Sequence, residues 1–152
     1  MDRQTIAINA NTNAAGAESF TQNAGGTIQT GSASATAVTI LVNKDTGGAG
    51  GAALRSITTG NGGTITVSTT GVTALPPAGN ATGGSITEAA AGSANLNVGT
   101  GSVVLLVPMT GTSSVFTSAG LGGTSAGMTS VTARSGSGGI FIRESDGARF
   151  NV

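Results

Sequence analysis

Cysteine and histidine are both absent from this 152-residue chain, as are tryptophan and tyrosine. The first absence excludes disulfides and thiolate metal sites. Together the first two exclude the common zinc sites and the Ser-His and Cys-His nucleophile pairs. Only four phenylalanines supply aromatic bulk, fewer than a conventional sandwich of this length wants. Charge is scarce too: 8% of residues, against roughly 25% in ordinary globular domains. Six basic and six acidic side chains cancel and neither set forms a run. Without a basic stripe to collect phosphates, neither nucleic acid nor an anionic membrane surface is an expected partner. The longest apolar stretch, Val103 to Val107, is five residues before Pro108, far short of the roughly 20 that a membrane-spanning helix needs. The start of the sequence, Met1 to Ile6, enters a strand pattern directly and has no secretory-signal character.

What is present is glycine, 27 residues of it, and short β-branched runs divided by Gly, Ser, Asn or Pro. The runs fall at 5–9, 26–30, 38–43, 54–59, 63–69, 84–88, 94–98, 102–107, 114–118, 129–133 and 139–143. Helical periodicity is missing, so an all-β chain is expected. Within Thr64-Ile65-Thr66-Val67-Ser68, Ile and Val face one side and the hydroxyls the other.

Two strand patterns recur in order. The first reads Thr27-Ile28-Gln29-Thr30-Gly31, Ser56-Ile57-Thr58-Thr59-Gly60, Ser85-Ile86-Thr87-Glu88-Ala89 and Ser130-Val131-Thr132-Ala133. The second reads Val38 to Val42, Thr64 to Val67, Asn95 to Val98 and Gly139 to Ile142. Ile28, Ile57 and Ile86 are 29 residues apart, a repeat too small to bury a core alone and therefore a solenoid signature. A single domain over 1–152 is expected, a parallel β-helix of about five coils rising roughly 25 Å. Stacked in register, Ile28, Ile57, Ile86 and Val131 would form one inward row, and Ile40, Ile65, Leu96 and Ile140 another. The longer interval from Ile86 to Val131 reads as an inserted strand pair or a longer coil turning at Pro108. Asp146-Gly147 reads as a hairpin turn closing a terminal antiparallel ribbon.

The Gly-rich segments Gly25-Gly26-Thr27-Ile28-Gln29-Thr30-Gly31, Gly62-Gly63-Thr64-Ile65-Thr66-Val67 and Gly136 to Ile142 resemble the repeat regions of filamentous haemagglutinin-like exoproteins and other large bacterial β-solenoid surface proteins. That resemblance is one of repeat and texture over nearly the whole chain. It implies a right-handed coil, export to the cell surface or medium, and a structural or adhesive role without catalytic residues. It also implies a segment of a longer repetitive protein, or a subunit that self-associates end to end. Host or surface glycans or proteins are then the candidate ligands.

Candidate chemistry is thin, and no catalytic, cofactor or metal residues are expected. Gly48-Ala49-Gly50-Gly51-Ala52-Ala53 fits a dinucleotide-binding spacing, but Leu54 onward reads as strand, where that fingerprint needs a helix. Glu144 and Asp146 are too few oxygens for calcium. Lys44 lies beside Asp45 in a Gly-rich turn, no setting for a Ser-Lys pair. Asn80-Ala81-Thr82 is a glycosylation sequon. The outward pairs Thr27 and Gln29, Ser56 and Thr58, Ser85 and Thr87, Ser130 and Thr132, with Thr64 and Thr66, form the candidate interaction face. Their hydroxyl rows resemble the ice-binding faces of antifreeze solenoids, the alternative function. A polysaccharide-acting β-helix enzyme is a second alternative, which the scarcity of carboxylates and aromatics disfavours. Asn9 and Asn43, each near the end of a strand, are candidates for a stacked amide ladder.

Overall fold

The structure, a computed structural model, describes residues 3–13, 16–44, 48–73, 82–116, 122–124, 128–143 and 149–151. The described regular structure is strand throughout. In chain order the strands are β1 (Ile6–Ala10), β2 (Phe20–Thr21), β3 (Thr27–Gln29), β4 (Val38–Val42), β5 (Ala52–Leu54), β6 (Ser56–Thr58), β7 (Thr64–Ser68), β8 (Ile86–Glu88), β9 (Asn95–Asn97), β10 (Ser102–Leu106), β11 (Gly122–Thr124), β12 (Ser130–Arg134), β13 (Ile142–Arg143) and β14 (Arg149–Asn151).

They form three sheets: β1-β4-β7-β10-β12-β14, β13-β11-β9-β6-β3 and β2-β5-β8. Every strand pairing is parallel. Isolated parallel bridges from Ile86 to Val115 and from Val115 to Ile140 extend the three-stranded sheet. The chain visits the sheets in rotation, so each strand pairs with the strand of the preceding visit rather than with its neighbour in sequence.

Alternation along each strand sends one set of side chains into the space between the sheets. In the six-stranded sheet, Ile6, Val38, Ile65, Val103 and Val131 share one inward row, and Ile8, Ile40, Val67, Leu105 and Ala133 the next. Phe20, Ala52, Ile86, Val115 and Ile140 line up in the three-stranded sheet. Ile28, Ile57 and Leu96 do so in the five-stranded one. These rows make up most of the apolar core. Each fully buried Ile or Val contributes about 1.5–3 kcal/mol relative to exposure.

The register corrects both rows expected from the even 29-residue spacing. Ile28 and Ile57 do share a row, but it continues through Leu96; Ile86 stands between Ala52 and Val115, and Val131 beside Val103. In the second set, Ile40 pairs with Val67, Ile65 with Val38 and Val103, Leu96 with Ile57, and Ile140 with Val115. Corners of unequal length explain the error. A single residue, Arg55, separates β5 from β6, whereas residues 69–85 separate β7 from β8. Loop length adds closure entropy only slowly, while parity and burial fix register, so equal spacing in sequence need not mean equal place in the fold.

The interval from Ile86 to Val131 is not an insertion. β10 takes a regular place between β7 and β12, Val115 bridges Ile86, and β11 joins β9 to β13, which is one more full rotation. Pro108 follows β10, where its carbonyl accepts the Gly136 N–H at 3.1 Å. The terminal antiparallel ribbon is also corrected. β13 pairs parallel with β11 and β14 parallel with β12, in two different sheets. Arg149, Phe150 and Asn151 take the register of Ser130, Val131 and Thr132. The Asp146-Gly147 turn itself lies outside the described residues, as do Glu144 and the Asn80 and Ala81 of the sequon.

Candidate functional site

The ten residues of the expected interaction face divide among all three sheets. Thr27 and Gln29 align with Ser56 and Thr58 in the five-stranded sheet, where Asn95 and Asn97 extend both rows. Thr64, Thr66, Ser130 and Thr132 lie in the six-stranded sheet, separated by Ser102 and Val104 of β10. Thr87 aligns with Ala53 in the three-stranded sheet, and Ser85 immediately precedes β8. No single plane carries them. Thr66 is only 8% exposed, and the hydroxyls are partly spent within the fold: Ser102 and Ser130 bond each other at 3.0 Å, and the Ser85 hydroxyl accepts the Ser114 N–H at 2.9 Å.

Gly48 to Gly51 lead into β5, so the dinucleotide-like spacing opens a strand and has no helix N-terminus to hold a phosphate. Among the described residues, no group of three or more acidic side chains stands together to hold a metal. None of the described residues forms a helix long and apolar enough to cross a membrane.

The most developed polar constellation sits at the corner after β1 and β4. It joins Asn43 to Asn11, not to Asn9, which pairs in register with Leu41 on the exposed face of β1. Asn43 is 1% exposed and has φ of 63°; Asn11 has φ of 51°. Asparagine tolerates this left-handed conformation better than most residues, and here it ends both strands. The Asn43 amide donates to the carbonyls of Gly50 (2.9 Å) and Thr69 (2.8 Å). Its Oδ1 accepts the Gly50 N–H (3.1 Å) and the Asn11 amide (2.6 Å). Among the described residues, the buried Asn11 Oδ1 meets no hydrogen-bond partner. Aligning Ile6-Ala7-Ile8-Asn9-Ala10-Asn11 with Val38-Thr39-Ile40-Leu41-Val42-Asn43 reveals the correct pair, a 32-residue repeat that the 29-residue period obscures.

Two other corner side chains do similar work and carried no sequence signal. Gln22, 6% exposed, accepts the Arg55 N–H at 2.9 Å and donates to the Ser56 carbonyl at 3.2 Å. The Glu88 carboxylate accepts the N–H groups of Gly92 (2.6 Å) and Ala94 (3.0 Å), folding the turn before β9.

One end of the sheet stack is bounded by β1, β2 and β3, each the terminal strand of its sheet. The apolar rows surface here: Ile6, Ile8, Ala10, Phe20 and Ile28 are only partly buried, unlike their fully buried counterparts Val38, Ile40, Val42 and Ile57. A hollow of about 490 Å³, lined by Gln4, Ile6, Gln29 to Gly31 and Thr58 to Gly60, opens at this end. At the opposite end Ile140, Phe141 and Ile142 are likewise partly buried. The groups at these two ends include apolar side chains and strand edges.

Comparison with protein families, with curated proteins and with solved structures finds no match to this chain.

Proposed function

We propose that this chain is a parallel β-solenoid serving as a structural or adhesive element of a bacterial surface or secreted fibre, without chemistry of its own. The observation that carries this reading is the rotation of the chain through three all-parallel sheets with aliphatic rows running between them. Each rotation is read as a coil: β1 to β3, β4 to β6, β7 to β9, β10 through Val115 to β11, and β12 through Ile140 to β13, with β14 opening a sixth. At about 4.8 Å per coil, five coils rise roughly 24 Å. The right-handed sense follows the preference of parallel crossovers and the resemblance to exoprotein repeats.

A low-charge surface of Thr, Ser, Asn and Gly, with side-chain amides and a carboxylate occupied at the corners, favours a spacer or contact surface over a reactive cleft. Candidate ligands are host or surface glycans or proteins, or further copies of the same element. Antibodies raised against the purified chain test the location. They are expected to label intact, unpermeabilised cells of the producing organism or to detect the protein in its medium. Labelling only after permeabilisation would contradict the reading.

A further inference from the structure

We propose that Asn61 is a site of spontaneous covalent modification: its side-chain amide closes onto the Gly62 nitrogen to give a succinimide, which water opens to isoaspartate or aspartate. Thr100, on the neighbouring corner, holds the reaction back. Nothing in this depends on the proposed surface role.

Asn61 is the one asparagine of the chain that precedes a glycine. Ring closure is intramolecular, so the reacting atoms are never far apart, and glycine has no side chain to obstruct the approach. Both residues are exposed, and a Cβ built on Gly62 would meet nothing within 4 Å, so water reaches this peptide. They occupy the turn that links β6 to β7. Gly63 donates its N–H to the Gly60 carbonyl at 2.9 Å and Gly62 has φ of 91°, the pattern of a type II turn.

In the reaction the Gly62 nitrogen gives its proton to solvent and bonds to Asn61 Cγ. The bond from Cγ to Nδ2 breaks, and that nitrogen leaves as ammonia. Water then adds to one of the two ring carbonyls. Attack at the main-chain carbonyl gives isoaspartate and adds a methylene to the backbone between β6 and β7; attack at the other gives aspartate. Either product adds one negative charge to a chain whose net charge is zero.

Both reacting groups are tied to the corner between β9 and β10. Gly62 donates its N–H to the Val98 carbonyl at 3.2 Å, so losing the proton forfeits that bond. Asn61 Oδ1 accepts the Thr100 N–H at 2.8 Å and the Thr100 hydroxyl at 3.1 Å. Donors on Oδ1 polarise Cγ, yet they also fix the amide against the rotation that carries Cγ onto the nitrogen. With the Gly62 bond added, the balance is against closure. Because β6 pairs with β9 and β7 with β10, the register itself builds this restraint.

Peptide mapping by mass spectrometry tests this, following the mass gain of an amide becoming an acid at Asn61 during warm, mildly alkaline incubation. The wild type in guanidinium chloride is expected to react about tenfold or more faster than the folded wild type, through loss of these hydrogen bonds. Folded Thr100→Ala keeps the N–H and loses the hydroxyl, and is expected to react roughly threefold faster than the folded wild type. Thr100→Ser should return to the wild-type rate, and all three should react alike when unfolded. Equal rates in the folded and unfolded wild type overturn the restraint, as does a Thr100→Ala that is no faster with its strand circular dichroism intact. An unfolded chain that gains no mass at Asn61 overturns the site itself. Should Thr100→Ala lose its strand signal, the folded-to-unfolded ratio of the wild type decides.

Discussion

Asn43 shows how much a single polar side chain can do at a corner of this fold. Its amide makes four hydrogen bonds in a site 1% exposed, to groups before, within and after its own turn of chain. Truncating it strands the Gly50 N–H and the Thr69 carbonyl in the interior, whereas the Gly50 carbonyl keeps the Gly84 N–H, and each unmet buried group costs about 1–3 kcal/mol. Asn43→Ala is therefore expected to destabilise by about 3 kcal/mol or more in urea unfolding. Asn43→Gly, which accepts the φ of 63° freely, should recover only part of that loss. Exposed Asn9, adjacent in the sequence reading but not in the ladder, should tolerate Ala within about 0.5 kcal/mol. If Asn9→Ala and Asn43→Ala were equally mild, the corner network would not be the stabilising feature described here. The amide character of these residues was visible in the sequence. Which two amides meet depends on register, and register is a property of the strands.

Elements were legible where burial and β-branching coincide and illegible where either fails. β7 stands out because Ile and Val alternate with Thr and Ser, β4 and β12 because Val, Ile or Ala flank a Thr, and β10 as an unbroken run of Val and Leu. The run at 54–59 looked like one strand; the structure breaks it at Arg55, whose N–H and Nε both bond to Gln22. Gly122 to Thr124 gave no strand signal, because two glycines carry no side chain to pattern, yet β11 pairs with β9 and β13. Of the run at 114–118, residues 114–116 are described: Val115 bridges, and Phe116 has φ of 58°. The residues of the expected interaction face are spread for the same reason: unequal corners send them to different sheets, and Thr66 among them is enclosed. Position within a row should set the cost of truncation. Ile57→Ala, in mid-row and fully buried, is expected to cost about 2–5 kcal/mol by denaturant titration. Ile28→Ala, one strand outward in the same row and half-covered, should cost clearly less. Equal losses would mean that Ile28 is as enclosed as Ile57.

For the molecule as a whole, the proposed solenoid and its proposed role both depend on which strand lies against which. All-β character could be read directly from the β-branched runs, whereas the assignment of strands to three sheets could not, because corner lengths vary freely while the rows stay continuous. The absence of native cysteine makes the arrangement directly testable. Gln29 and Thr58 are 29 residues apart, and so are Thr58 and Thr87, but only the first pair is adjacent; Thr87 pairs instead with Ala53. Adjacent parallel strands bring Cα atoms to about 4.8 Å, within the range a disulfide spans. Under mild oxidation of double-cysteine variants, Gln29→Cys with Thr58→Cys, and Thr58→Cys with Asn97→Cys, should each form an intramolecular disulfide, while Thr58→Cys with Thr87→Cys should not. Efficient cross-linking of positions 58 and 87, with none between 58 and 97, would contradict the three-sheet register on which the account stands.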